Sequence, residues 1–200
     1  RQNPLGHYLT KGFRQGVSPS PIFDIDWFRS QLTEPLGVGR DPLIHFLDAG
    51  QALRAMPHPL FHTNLYLAEN ADVAASGIAA LVHYATSGGH EARRPHVLFD
   101  NAWYRAAYPL ECDSWRTPLA HYLIEGERSG CWPNQLFDPL WYFKRYGQRL
   151  AQGQGALEHY LAHGRREGCW PNPLFDPAWY LDTYADVAAL DVDPLEHYLG

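Results

Sequence analysis

The sequence predicts an all-α fold, a solenoid-like array of short two-helix repeats of 38 residues. Three observations carry that prediction. A phrase of the form Leu-x-His-Tyr/Phe-Leu/Ala occurs six times, with its histidine at His7, His45, His83, His121, His159 and His197, spaced by 38 residues without insertion. A fixed period of roughly 20–50 residues marks stacked supersecondary units. Pro19, Pro57, Pro95, Pro133 and Pro171 keep the same register. Finally, Asp or Thr stands before both apolar stripes, often followed by Pro, which is the chemistry of a helix start. Residues 1–200 therefore read as a single helical-repeat array of about five repeats, with both ends expected to be cut from a longer chain.

The first helix of the repeat carries the histidine. Asp193-Pro194-Leu195, Asp41-Pro42-Leu43 and Thr117-Pro118-Leu119 are its starts, and Leu195, Tyr198 and Leu199 mark its i, i+3, i+4 stripe. Gly12, Gly50, Gly88, Gly126 and Gly164 follow the stripe, where a left-handed glycine is expected to close the helix. A Gly/Pro-rich loop comes next, as in Gly164-Arg165-Arg166-Glu167-Gly168-Cys169-Trp170-Pro171-Asn172-Pro173.

The second, aromatic helix opens at Phe175-Asp176-Pro177-Ala178-Trp179-Tyr180, with counterparts at Phe23-Asp24, Phe61-His62, Phe99-Asp100 and Phe137-Asp138-Pro139. Asp is its cap, and the preceding Phe is expected to staple onto the first turn through the Trp position. Tyr180, Tyr184 and Val187 are expected to continue one stripe. Helices this short are marginal alone, so each must bury its face on neighbours. The recurrent rings supply the core, since each buries ~150–250 Å².

Composition excludes several classes. Lys plus Arg is 16 against Asp plus Glu 22, a net charge of −6, which argues against nucleic-acid binding. No apolar run reaches the ~18 residues of a membrane span. Of three cysteines, Cys131 and Cys169 share one repeat position. Equivalent positions in packed helices lie about 8–10 Å apart or more, whereas a disulfide needs Cα atoms within about 7 Å. Both are expected to be free thiols, which favours a reducing, cytoplasmic location.

Asn172-Pro173-Leu174-Phe175-Asp176-Pro177-Ala178-Trp179-Tyr180-Leu181, Tyr184-Ala185-Asp186-Val187-Ala188 and Asp193-Pro194-Leu195-Glu196-His197-Tyr198-Leu199 resemble a bacterial repeat found beside glycosyltransferase and other polysaccharide-biosynthesis modules. The resemblance spans essentially the whole chain. It implies a non-catalytic accessory region, with any catalytic domain, most simply a glycosyltransferase, outside these residues. His62 in place of Asp, Leu65 in place of Trp, and the Cys-Trp pairs at Cys131-Trp132 and Cys169-Trp170 depart from the pattern.

No catalytic constellation emerges. The histidines lie about 160° from the centre of the Leu/Tyr stripe on a helical wheel, so two readings follow. One is a ligand-facing line of imidazoles. The favoured one makes His45, His83, His121 and His159 repeat-interface residues, bonded to the next unit through a loop carbonyl or the cap Asp. No metal or other cofactor is expected: rungs a repeat apart do not bring nitrogens within about 2.1 Å of one ion. Asp24, Asp100, Asp138 and Asp176 read as helix caps.

The binding candidates are Trp132, Trp170, Arg128 and Arg166, because a Trp present in only two copies is not a shared core requirement. The other loop cations are Lys11, Arg14, Arg54, Arg93, Arg94 and Arg165. The expected role is a recognition or docking scaffold for a protein or glycan partner of an attached carbohydrate-active enzyme. The alternative is a structural spacer or oligomerisation array without ligand.

Overall fold

The computed structural model describes residues 8, 11–37, 39–53, 55–109, 117–190 and 192–200, and these form short helices joined by loops, with no strand among them. His7, Arg54 and Cys112 lie outside them. The chain forms two compact units, Arg1–His96 and Val97–Gly200.

Within each unit the same local construction recurs. The aromatic helices are Ile25–Ser30 and Thr63–Glu69 in the first unit, and Asn101–Ala107, Pro139–Tyr146 and Pro177–Thr183 in the second. Each begins at the expected cap. Asp24, Asp100, Asp138 and Asp176 accept from the amide of the Trp three residues on, at 2.9–3.1 Å. His62 does the same with its imidazole, Nδ1 accepting from the Leu65 amide at 3.1 Å. A neutral ring therefore replaces the carboxylate without loss of the cap.

The staple differs from expectation. Phe61, Phe99, Phe137 and Phe175 meet the ring one residue beyond the Trp/Leu position, namely Tyr66, Tyr104, Tyr142 and Tyr180, with centroids 5.1–5.5 Å apart. The fourth helical residue lies one turn above the residue before the cap, whereas the third points aside. The Tyr of the histidine helix completes a three-ring core, as Tyr84, Tyr122 and Tyr160 pack on those Phe rings at 5.5–5.6 Å. Phe23, Phe28 and Phe46 make the same cluster without hydroxyls.

The aromatic stripe is not one continuous helix. Tyr184, at φ −113° and ψ 81°, breaks the chain between Pro177–Thr183 and Ala185–Ala189, and Asn70 does so between Thr63–Glu69 and Ala71–Ser76. Val73 and Val187 are buried from these separate short helices.

The loops are tied to the preceding copy. The carbonyls of Pro57 and Pro95 accept from the cap amides of Asp24 and His62, and those of Pro133 and Pro171 from Asp100 and Asp138, at 2.8–3.0 Å. Asn134 and Asn172 donate their side-chain amides to the carbonyls of Leu98 and Leu136, 36 residues earlier. Proline keeps register there because its carbonyl is fixed in place and its missing donor is not needed.

The histidine helix closes differently from the expected left-handed glycine. Ala80–His83, Pro118–His121 and Ala156–His159 widen into π-helical turns Tyr84–Gly88, Tyr122–Gly126 and Tyr160–Gly164. Gly88, Gly126 and Gly164 are not among the residues with positive φ. They are glycine because a Tyr hydroxyl rests against them: an added Cβ would lie 2.0–2.2 Å from Oη of Tyr66, Tyr104 or Tyr142.

The left-handed closure comes four residues later, at Gly130 (φ 85°) and Gly168 (φ 67°), and at Gly16 (φ 72°) in the first copy. Ala92 occupies that register with φ 60° and is the one non-glycine residue with positive φ among those described. An L-residue there costs ~1–2 kcal/mol, and glycine's extra unfolded-state entropy offsets part of the relief. Ala92→Gly is expected to stabilise the protein by about 0.5–1 kcal/mol in urea unfolding. A lower midpoint than the parent chain would refute the strain at this position.

Candidate functional site

Four of the histidines have a hydrogen-bond partner, and it is not the predicted one. Nδ1 of His83, His121 and His159 lies 2.8–2.9 Å from the hydroxyl of Tyr66, Tyr104 and Tyr142, seventeen residues upstream on the aromatic helix. His197 pairs likewise with Tyr180 at 2.9 Å. The expected loop carbonyl or cap Asp is therefore replaced by a Tyr from the helix packed beside it.

His121 is 4% exposed although it lies off the Leu/Tyr stripe. The stripe covers one face of a short helix, and the aromatic helix takes the face that bears the imidazole. His45, half-buried, meets Phe28, which has no hydroxyl, at a centroid distance of 6.2 Å. Burial lowers the pKa of His159, so a neutral ring is favoured at neutral pH. Among the described residues no group of three or more His, Cys, Asp or Glu side chains is placed to hold a metal ion. Cys131 and Cys169 are buried free thiols.

A second polar network was not foreseen. Tyr8 donates to Oδ1 of Asp41 at 2.9 Å, and Tyr160 donates to Oδ2 of Asp193 at 3.1 Å; both carboxylates also cap the histidine helix they precede. In one copy the cap position is Gly155, which has no side chain. Glu127 from the preceding loop replaces it, with Oε1 accepting from both the Tyr122 hydroxyl (2.8 Å) and the Leu157 amide (3.0 Å). An added Cβ on Gly155 would lie 2.6 Å from Oε2 of Glu127. Burial raises the pKa of Glu127 above its ordinary value, the two hydrogen bonds notwithstanding.

Of the binding candidates, Trp132 and Trp170 are half-buried and Arg128 and Arg166 exposed. The Trp backbone amides donate to the hydroxyls of Tyr108 (2.9 Å) and Tyr146 (3.1 Å), so the two loops are anchored alike. One of the four candidates, Trp132, lines a concavity. Trp132 joins Leu174, Trp179, Tyr184 and Tyr198 around a shallow depression of about 390 Å³, whose lining includes none of Trp170, Arg128 and Arg166.

Leu174 is 94% exposed, Trp179 61% and Tyr198 60%; all three belong to the last copy of the repeat, and their counterparts Leu98 and Tyr160 are covered by the copy that follows them. The loop cations do not form one free stripe. Arg93 is held by Asp72 and Glu91 at 2.8 and 2.9 Å, and Arg165 lies 3.7 Å from Glu196.

No described helix is long and apolar enough to cross a membrane. No family model, curated protein or solved structure matches this chain.

Proposed function

We propose that this chain is a non-catalytic docking module that holds a protein or glycan partner for an attached carbohydrate-active enzyme. The observation that supports the reading is that Trp132, a ring present in only two copies, lines a depression of about 390 Å³. Exposed clustered aromatics mark interaction surfaces, and Trp and Tyr dominate binding hot spots. The same hydrogen bonds recurring every 38 residues within each unit support a solenoid-like array as the scaffold. Free Cys131 and Cys169 are in keeping with a reducing compartment.

The alternative, a spacer or oligomerisation array, draws on a different observation. The repeated polar side chains are engaged internally: His with Tyr, Asp with cap amides, Asn with loop carbonyls.

The two readings separate in the full-length protein. Trp132→Ala with Trp179→Ala is expected to lower activity on the natural acceptor about tenfold, with Tm moving by less than about 2 °C. Trp170→Ala, outside the depression, serves as the control and leaves activity intact. Unchanged activity in the double variant would favour the spacer.

A further inference from the structure

A second concavity lies in the first compact unit and is independent of the Trp132 depression. It measures about 830 Å³, and its lining includes Arg14, Arg29 and Arg40 together with Phe13, Leu32 and Leu36. Its described lining residues include no carboxylate. Three separate segments supply the cations. Arg14 sits on the 3₁₀ turn Gly12–Gln15, Arg29 in the last turn of Ile25–Ser30, and Arg40 in the loop before the Asp41 cap. All three are exposed, and none is ion-paired to a described carboxylate. The Arg14 guanidinium lies 5.5 Å from the Phe13 ring centroid, which restrains its direction.

The repeat supplies its own control. The positions of Arg14, Arg29 and Arg40 correspond to Ala52, Leu67 and Ile78 in the next copy, and to Arg128, Phe143 and Gln154 in the fourth. In the third they are His90, Arg105 and Arg116, and in the fifth Arg166, Leu181 and Val192. No other copy carries all three arginines. A packing requirement recurs in every copy, so this triple serves something local. Converging cations without counter-charges, in a chain of net charge −6, make a place where an external anion replaces the missing carboxylates.

We propose that the Arg14–Arg29–Arg40 cleft binds an acidic oligosaccharide, its carboxylates held by the guanidiniums and its sugar faces lying on Leu32 and Leu36. Guanidinium and carboxylate pair in a bidentate fork, which favours carboxylates at several fixed positions over one mobile ion. Gly37 and Gly39 line the same cleft, and the space where each Cβ would stand is open, so a ligand can approach the backbone. Pockets of about 300–1,000 Å³ hold ligands of oligosaccharide size.

The test is calorimetric titration with trigalacturonate, with neutral maltotriose and inorganic phosphate as comparison ligands. Trigalacturonate is expected to bind, maltotriose not, and affinity to fall as salt screens the charges. Arg14→Gln, Arg29→Gln and Arg40→Gln combined are expected to weaken binding by about tenfold or more, since each change removes a charge-assisted hydrogen bond. The salt series on the unaltered chain tests the same electrostatics without any substitution. The proposal falls if trigalacturonate gives no heat at millimolar concentration, if maltotriose binds equally, or if the triple variant, still folded by circular dichroism, binds unchanged. Phosphate binding as tightly as the trisaccharide would remove the sugar from the proposal.

Discussion

Gly126→Ala is expected to destabilise the protein by about 3 kcal/mol or more, although alanine is the better helix former. The added Cβ would lie 2.2 Å from Oη of Tyr104 and 3.2 Å from Cε1 of His121, far inside contact distance. Tyr104 is fully buried between Phe99 and Tyr122, with ring centroids at 5.1 and 5.9 Å, so its ring has no room to retreat. Moving it would also break the 2.8 Å bond to His121. Overpacking alone costs ~1–3 kcal/mol, and a broken buried hydrogen bond adds ~1–3 kcal/mol.

The clash is with one oxygen, so Tyr104→Phe in the Gly126→Ala background should recover part of the loss. The double variant is expected to be more stable than the sum of the two single changes allows, a coupling of ~1 kcal/mol or more. Urea unfolding of the four chains measures it. If Gly126→Ala costs the same with Phe at 104 as with Tyr, the glycine is not there to admit the hydroxyl.

That glycine shows where the sequence was legible and where it was not. The period, the helix starts at Asp24, Asp100, Asp138 and Asp176, and the ring-rich core were all readable, because each follows from a local rule. Caps act within three residues and stripes within four. The role of Gly126 depends on Tyr104, twenty-two residues away, and a helix-terminal glycine looks the same whether it serves φ or space. Ala92 carried the missing hint: a true left-handed register appears at Gly16, Gly130 and Gly168, four residues beyond the glycines chosen.

The histidine partner was hidden for a related reason. A helical wheel gives the face opposite the stripe but not the element that covers it, and for His121 that element is the helix bearing Tyr104. On the candidate surface, Trp132 was singled out because it breaks the repeat. Leu174, Trp179 and Tyr198 obey the repeat and lie in its last copy, on the face that the following copy covers at Leu98 and Tyr160. Arg29 and Arg40 stand out only once the structure brings them beside Arg14.

Glu127 should be the most costly polar side chain to truncate. It is 8% exposed and fills the role that Asp41 and Asp193 play in other copies, holding a Tyr hydroxyl and a first-turn amide at once. Glu127→Ala leaves the Tyr122 hydroxyl and the Leu157 amide without that acceptor, at about 1–3 kcal/mol for each donor. Gly155 has no side chain to take over.

Glu127→Gln keeps an acceptor oxygen and removes the charge, so it isolates the titration. Burial raises the folded-state pKa of Glu127, which means the native state holds this proton more tightly than the unfolded chain does. The contribution to stability is therefore full below the unfolded carboxylate pKa of ~4.3 and is lost as pH rises through the folded value. Asp193 and Glu196, raised by burial as well, act in the same direction, whereas His159, lowered by burial, destabilises the native state as pH falls below about 6.5. Comparing the parent chain with Glu127→Gln cancels those shared contributions. The stability of the Gln variant relative to the parent is expected to be higher at pH 8 than at pH 4. A difference that stays flat between those pH values, or grows towards acid, would show that the two hydrogen bonds outweigh burial in setting the charge of this carboxyl.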